Sequence, residues 1–307
     1  MSPGSVPAAT RSGADATRFF DRRRGSALLW VMALLVTFAL AAYQRLTGPT
    51  HPVRVQAEVG GAPVTGQLPR SHGGEGGAIV SLVVPDPAVT GELAWRRFPT
   101  AEVWTETPLE RLGDELVAEL PHQPAAGKLE YGLRLARGGA ARVIQQDDGP
   151  IVIRFRGDVP AAVLLPHIMA MFLGLVIGVR ALLGALVNER DLARHIPWLL
   201  LFLVPGGLAL GPIVQKYAFG AYWTGWPFGE DLTDNKTLAS VLAWAAAWLV
   251  ARRWPDRPAR HRVAVAVAAL VMLAVYLIPH SARGSQLDWS KQPPPAAATG
   301  DGPVSSR

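Results

Sequence analysis

Residues 216–236 read KYAFGAYWTGWPFGEDLTDNK and lie between two long apolar runs. Their first part is rich in aromatic side chains, namely Tyr217, Phe219, Tyr222, Trp223, Trp226 and Phe228. Their second part, 230–236, contains acids, an amide and a base. Because aromatic side chains favour the boundary between lipid and water, this stretch is predicted to be a loop at a membrane surface. We interpret its aromatic half as mainly structural and its polar half as the candidate functional surface.

Around this loop, five segments lack Asp, Glu, Lys and Arg for about 15 to 20 residues, the length that crosses roughly 30 Å of hydrocarbon. These segments are Gly25–Gln44, Val159–Val179, Ile196–Gln215, Thr237–Ala251 and Val263–Ala282. A buried helix of a soluble protein would carry a polar stripe, which these runs lack. We therefore predict five transmembrane helices, at 26–45, 159–182, 196–215, 235–251 and 263–280.

The basic side chains are placed according to membrane topology. The net charge is +6, and arginines cluster before the first run, between the second and third, and between the fourth and fifth. Arginine-rich alternate connections follow the positive-inside rule. The pattern predicts a multi-pass protein of the inner or plasma membrane, with a cytoplasmic N-terminus and an extracytoplasmic C-terminus. Membrane lipid is thus an expected partner, and nucleic acid is not.

The first run, 26–45, allows two interpretations. Ala39-Leu40-Ala41 offers a small-x-small pattern that signal peptidases cleave, but the long region before the run favours an uncleaved signal anchor. Residues 1–25 are predicted to be a disordered, basic cytoplasmic N-terminus. The chain has no cysteine, which excludes disulfides, iron–sulfur clusters, thiol catalysis and cysteine-ligated zinc.

The region 46–158 has the alternation typical of antiparallel strands. In Lys128–Leu135, apolar side chains occupy every second position, as expected for a strand with one buried face. About seven to nine strands of this kind would suit a β-sandwich. The predicted fold is therefore mixed. A five-helix transmembrane bundle carries an all-β, extracytoplasmic sandwich, which is inserted between its first and second helices. The remaining four helices form the membrane domain 159–282, and 283–307 are predicted to be a disordered extracytoplasmic tail.

Two resemblances accompany this interpretation. The run GELAWRRFPTAEVWTETPLERLGDELVAELPHQPAAGKLEYGLRL, at 91–135, resembles immunoglobulin-like or fibronectin type III-like modules of bacterial extracytoplasmic proteins. That resemblance implies a fold and a location but no activity. WTGWPFGEDLTDNKT and IPHSARGSQLDW give the helical part a resemblance to polytopic bacterial membrane proteins to which no activity is assigned.

Polar side chains predicted at the outer end of the bundle form the candidate site. They are His167, Glu230, Asp231, Asp234, Asn235, Lys236, His280 and Arg283. An ionisable side chain within a span is a functional candidate by default. For His167, the equally weighted alternative is a neutral imidazole that is hydrogen-bonded to a carbonyl of a neighbouring helix. No metal site is assigned.

Three functions compete on these residues. The first is a membrane-anchored interaction or assembly protein, whose sandwich and outer loops bind a protein partner. The second is an integral-membrane enzyme or transporter with an outer-face Asp/His site, although no H-E-x-x-H, G-x-S-x-G or Walker motif is present. The third is a quinone or b-type haem protein, with His167 and His280 as axial candidates. The sequence leaves the cofactor undetermined, and whether the chain is an enzyme stays open.

Overall fold

The computed structural model describes residues 9–147, 149–229, 231–278 and 286–292. They divide into two compact units. The helical unit contains the chain up to His51 together with the described residues from Gly157 to Ile278. The β-unit contains Pro52–Arg156 and the C-terminal residues 286–292. A β-rich region therefore interrupts the helices between the first and the second, as the sequence predicts.

The described residues of the helical unit form five helices. They are α1 (Ala9–Thr47), α2 (Ala161–Leu186), α3 (Leu192–Phe219), α4 (Leu232–Arg253) and α5 (Pro258–Leu277). In this part of the chain, four segments are long and apolar enough to cross a membrane: Gly25–Thr47, Ala161–Leu186, Leu192–Phe219 and Pro258–Leu277. Helix α4 is not among them, because Asp234 and Lys236 at its start and arginines at its end dilute its apolar centre.

Some helix bounds differ from the predicted ones. Helix α1 already begins at Ala9, within the region predicted to be disordered. Helix α4 begins at Leu232 and not at the predicted 235, since Asp231 caps it by accepting a hydrogen bond from the Thr233 N–H. A capping carboxylate and a polar first turn lengthen a helix beyond its apolar run.

Helix α3 changes its winding along its length. A 3-10 turn at Leu192–Arg194 leads into α-helix, and Pro205–Leu210 is π-helical before α-helix resumes at Gly211. Gly206 and Gly207 in the π segment allow close packing, because a Cβ atom at Gly206 would lie 2.7 Å from the Cβ of Ala170. The three prolines of this helix, Pro197, Pro205 and Pro212, lack the N–H groups that regular α-helix would use.

One hydrophobic core joins the helices, with Leu175, Leu199, Trp244 and Val265 among its buried members. Hydrogen bonds show which helix ends lie together. The Gly157 N–H before α2 donates to the Ala218 carbonyl of α3, and Lys236 of α4 donates to the Ile278 carbonyl after α5. Gln44 of α1 donates to the Tyr276 carbonyl. We call this the loop end: α1, α3 and α5 finish there, and α2 and α4 begin there.

The described β-unit contains two sheets. The first has the order β1-β2-β4-β8-β7, and the second has the order β3-β11-β9-β5-β6 with β10 also paired to β9. The strands are β1 (Val53–Val59), β2 (Ala62–Leu68), β3 (Ser71–Gly73), β4 (Ala78–Val83), β5 (Thr90–Arg97), β6 (Thr105–Pro108), β7 (Glu110–Leu112), β8 (Glu115–Leu120), β9 (Lys128–Arg137), β10 (Ala140–Ile144) and β11 (Ile151–Arg156). Neighbours pair antiparallel except β3 and β11, which are parallel.

A single hydrophobic core takes side chains from both sheets, for example Val64 and Leu82 from one and Leu93 and Ile153 from the other. The predicted apolar face of β9 is confirmed, because Leu129, Tyr131, Leu133 and Leu135 are all buried. The other face is not fully exposed as predicted, since Lys128 and Glu130 are buried as well. The eleven described strands exceed the predicted seven to nine, since β3 and β7 have three residues each and are too short to show a period.

The C-terminal residues 286–292, which we call the strap, pack on the β-unit. The Trp289 indole N–H donates to the Phe98 carbonyl at 2.9 Å, and the Arg97 guanidinium lies 5.0 Å from the centre of the indole ring. The sequence interpretation placed these residues within a disordered tail at 283–307. A single aromatic anchor gives no periodic signal, so the order of the strap could not be read from the pattern.

Candidate functional site

Only some of the predicted site falls within the described residues. Glu230, His280 and Arg283 lie outside them, and His167, Asp231, Asp234, Asn235 and Lys236 lie inside. The last four belong to α4 or its cap at the loop end, and residues 220–229 turn back against them.

Asp234 holds the backbone of this turn. Its Oδ2 accepts the Thr224 N–H at 2.7 Å and the Gly225 N–H at 3.0 Å. The approach is close, because a Cβ atom at Gly225 would lie only 2.6 Å from the Cβ of Asp234. A carboxylate that accepts two backbone N–H groups replaces the water these groups would otherwise need. Asp234 therefore fixes the loop in place.

Neighbouring side chains extend the same arrangement. The Asn235 amide oxygen accepts the Trp226 N–H at 2.7 Å, and Asp231 accepts the Thr224 hydroxyl at 3.1 Å. From α3, the Gln215 amide donates to the same hydroxyl at 2.7 Å. These residues form what we call the loop clamp, which consists of Gln215, Thr224, Asp231, Asp234 and Asn235.

The clamp is electrostatically unusual because its acids are buried. Asp234 precedes the apolar part of α4, and burial raises its pKa. The hydrogen bonds from the Thr224 N–H and Gln215 oppose that rise, and the charge of Asp231 adds to it. Lys236 does not point to solvent either, since its ammonium donates to the Ile278 carbonyl at 2.7 Å. In the part of the chain that the structure describes, no group of three or more His, Asp or Glu side chains is placed to hold a metal ion.

The loop that the clamp holds exposes aromatic side chains. Tyr222, Trp226 and Phe228 are exposed by 59%, 69% and 82%, although their backbone is fixed from beneath. Trp223 is half-buried, and its indole N–H donates to the Trp226 carbonyl at 3.1 Å. Exposed aromatic side chains on a fixed backbone suit contact with lipid headgroups or with another protein.

His167 has its own place in the fold. Its Nδ1 lies 2.9 Å from the Gly206 carbonyl oxygen in the π segment of α3. Because a carbonyl only accepts, the Nδ1–H of His167 is the donor in this contact. The contact is the hydrogen bond to a carbonyl of a neighbouring helix that the predicted alternative contains. Its proposed haem partner, His280, lies outside the described residues.

At the opposite end of the helical unit lies a cluster that sequence reasoning missed. Arg180 of α2 is 0% exposed, and its guanidinium donates to both oxygens of Glu189, at 2.8 and 3.3 Å. Arg194 donates to the same carboxylate at 2.6 Å. We call Arg180, Glu189 and Arg194 the arginine lock. From α1, Ser26 accepts a hydrogen bond from Arg180 at 3.3 Å.

The charge balance of the lock favours an ionised carboxylate. Burial raises the pKa of Glu189, but the hydrogen bond from Arg180 and the charges of both arginines and His195 together outweigh it and lower the pKa. The sequence signal was a single arginine followed by the apolar residues 181–187. We ended the predicted span near Arg180 and assigned this side chain to the topology of the loop, so the signal was overlooked.

The described members of the predicted site thus serve the chain's own backbone. Asp231, Asp234 and Asn235 are brought together, and His167 is bonded separately to the π segment. The arrangement can position a rigid aromatic loop, and its acceptors already hold N–H and O–H groups. No protein-family model, curated protein or solved structure matches the chain.

Proposed function

We propose that the chain is a membrane-anchored interaction or assembly protein. In this proposal the helical unit crosses the inner or plasma membrane five times, with the N-terminus in the cytoplasm. The β-unit is an immunoglobulin-like sandwich on the outer side, and it binds a protein partner. The loop clamp supports this function by presenting an aromatic surface on the same side.

The observation that carries the proposal is the attachment of the strap to the β-unit. Helices α1 and α2 flank the β-unit in the sequence, and the chain that leaves α5 returns to the β-unit at Trp289. The connection between Ile278 and Gln286 spans at most about 28 Å, which is too short to cross a bilayer with its headgroups. The ends of three helices therefore continue along the chain into one β-unit, which suits a protein that holds a binding domain at the membrane.

The same attachment supports five crossings. If α4 did not cross, α5 would end on the cytoplasmic side, and its continuation could not reach the β-unit. Helix α4 also packs one face into the bundle, with Trp244 completely buried in the shared core, and it exposes Leu242 and Leu249 on another face. Its charged ends, Asp234 and Lys236 at the start and Arg252 and Arg253 at the finish, fit the two boundaries of a membrane.

Crosslinking in living cells tests the proposal. A photoreactive amino acid is placed at one exposed position at a time, at Ile79 on the first sheet, at Val143 on the second, and at Leu186 in the helical unit as the control. We expect one partner to be captured repeatedly from Ile79 or from Val143, and not from Leu186. If no position in the β-unit captured a partner, the proposed function would be wrong.

Topology is tested separately with a reporter fused after Gln292. The proposal expects the reporter to be active only outside the cytoplasm. A cytoplasmic reporter would contradict the five-span arrangement, whatever the crosslinking shows.

A further inference from the structure

The outer face of the second sheet contains a groove of about 250 Å³. Its floor follows from the strand register, because Ala94 of β5 lies opposite Gly132 of β9. These are the smallest side chains of that row, and the taller Glu106 and Gln145 stand at its ends. Large side chains on the two adjacent rows form the walls. The groove therefore runs across the strands and does not follow one edge.

One wall is a firmly held indole. Trp104 lines the groove, and the Arg96 guanidinium lies 4.6 Å from the centre of its ring without lining the groove itself. Arg96 is in turn paired with the carboxylate of Glu130. The chain thus already places one guanidinium between an indole and a carboxylate, which is a favourable site for a cation.

The groove itself also combines an indole with carboxylates. Glu92 and Glu106 line it beside Trp104. Within the described residues, neither carboxylate has an ion pair or hydrogen bond of its own. Arg134 lies opposite Glu92 in the register, toward the β10 side. The side of the groove nearest β6 is therefore acidic and aromatic, and the other side is basic.

We propose that this groove binds an extended segment of the protein partner through a lysine or arginine side chain. The basic group would lie against Trp104 and be paired with Glu106 and Glu92, and the following residues would cross the Ala94–Gly132 floor toward Arg134. Charge complementarity selects this occupant over an acidic segment. The inference rests on the proposed function, since it names the binding surface and the chemistry of the partner.

The test uses the full chain in lipid nanodiscs and a phage-displayed library of random twelve-residue peptides. We expect the recovered peptides to share an arginine or lysine, and argininamide to elute them. Recovery on a Glu92→Gln/Glu106→Gln double variant should fall about tenfold or more, as expected when a charge-assisted pair is lost. Trp104→Leu should reduce recovery as well.

The matched control is Glu58→Gln/Glu115→Gln, which removes the same charge from exposed positions of the first sheet and should leave recovery unchanged. Peptides without basic residues, equal recovery on the groove variant, or no recovery at all would overturn the inference. Elution by a neutral oligosaccharide such as cellohexaose but not by argininamide would also overturn it, and would identify a saccharide occupant.

Failure of this inference can be told from failure of the proposed function. If the photoreactive residue at Val143 captures the same partner from the groove double variant in cells, the function stands and the groove is not its binding site. If capture is lost only from the groove variant, both stand.

Discussion

The two ends of the helical unit hold carboxylates in different ways, one of them buried and the other half-buried. At the loop end, Asp234 is held by neutral donors, the N–H groups of Thr224 and Gly225. At the opposite end, Glu189 is held by two arginines. The first carboxylate has a raised pKa and the second a lowered one, although burial raises both.

The two carboxylates also differ in which parts of the helical unit they hold together. N–H groups are local, so Asp234 determines the path of one loop. Guanidinium groups reach further, so Glu189 connects Arg180 in α2 to Arg194 in α3, and through Arg180 to α1. We therefore expect changes in the arginine lock to affect the whole helical unit, and changes in the clamp to act mainly on the aromatic loop.

The largest effect is expected from Glu189→Ala. This change leaves the fully buried Arg180 without its counter-ion, which costs about 3 to 5 kcal/mol in comparable buried pairs. The free energy of unfolding of the full chain in nanodiscs is the quantity to measure. Removal of the exposed partner, by Arg194→Ala, should cost less than about 1 kcal/mol.

If Glu189→Ala and Arg194→Ala had equal effects, the buried pair would not be the main contribution of the lock. The double change Arg180→Met/Glu189→Leu provides a second check. Because it removes both charges, it should cost less than Glu189→Ala alone.

The second effect is expected at Asp234. Asp234→Ala leaves the Thr224 and Gly225 N–H groups without an acceptor and should cost about 2 kcal/mol or more. Asp234→Asn keeps an acceptor oxygen and removes the buried charge, so its cost should be clearly smaller. Unfolding measurements on both variants separate the role of the acceptor from that of the charge.

The raised pKa of Asp234 also determines whether its contribution to the folding stability rises or falls with pH. The folded state holds this proton more tightly than the unfolded state, so the stability that it contributes is complete below about pH 4 and is lost as the pH rises through the raised pKa. Asp234→Asn should lack this decline, whereas the exposed control Asp256→Asn should keep it. A decline that persisted in Asp234→Asn would assign it to another group.

A smaller effect is expected at His167, whose only described polar contact is the single hydrogen bond to a backbone carbonyl. His167→Phe keeps an aromatic ring but removes the hydrogen bond to the Gly206 carbonyl, which should cost about 1 kcal/mol. His167→Gln retains a donor and should recover part of the loss. Thermal unfolding beside the exposed control His51→Ala tests this, and equal stabilities of all three variants would exclude a role for the bond.

The smallest effect is expected from an exposed carboxylate, Asp288 in the strap. Hydrogen bonds from Ser290 and Lys291 lower its pKa to about 2. The stability that this depressed pKa contributes is present above about pH 4 and is lost as the pH falls toward 2. Hydrogen exchange of residues 286–292, relative to the free peptide, should therefore accelerate over that range. In Asp288→Asn the extra acceleration should be absent.

The helices and the buried apolar face of β9 could be predicted because both follow from local periodicity. The arginine lock could not be predicted from periodicity, because the role of Arg180 depends on its ion pair with Glu189. Only the turn after α2 brings the two side chains within 2.8 Å of each other. The clamp was recognised as a polar cluster, but its contacts with the loop backbone could not be predicted. Composition shows that Asp234 is acidic, and only the reversal of the chain at Gly225 shows that it faces backbone N–H groups.

The order of synthesis determines when the strap can bind to the β-unit. The ribosome makes Phe98 before it makes helices α2 to α5, and Trp289 follows all of them. At about 5 to 20 residues per second, the surface around Phe98 waits on the order of ten seconds for its indole. A chain that ends early leaves that surface uncovered, so a bound Trp289 reports that synthesis has reached the C-terminal region.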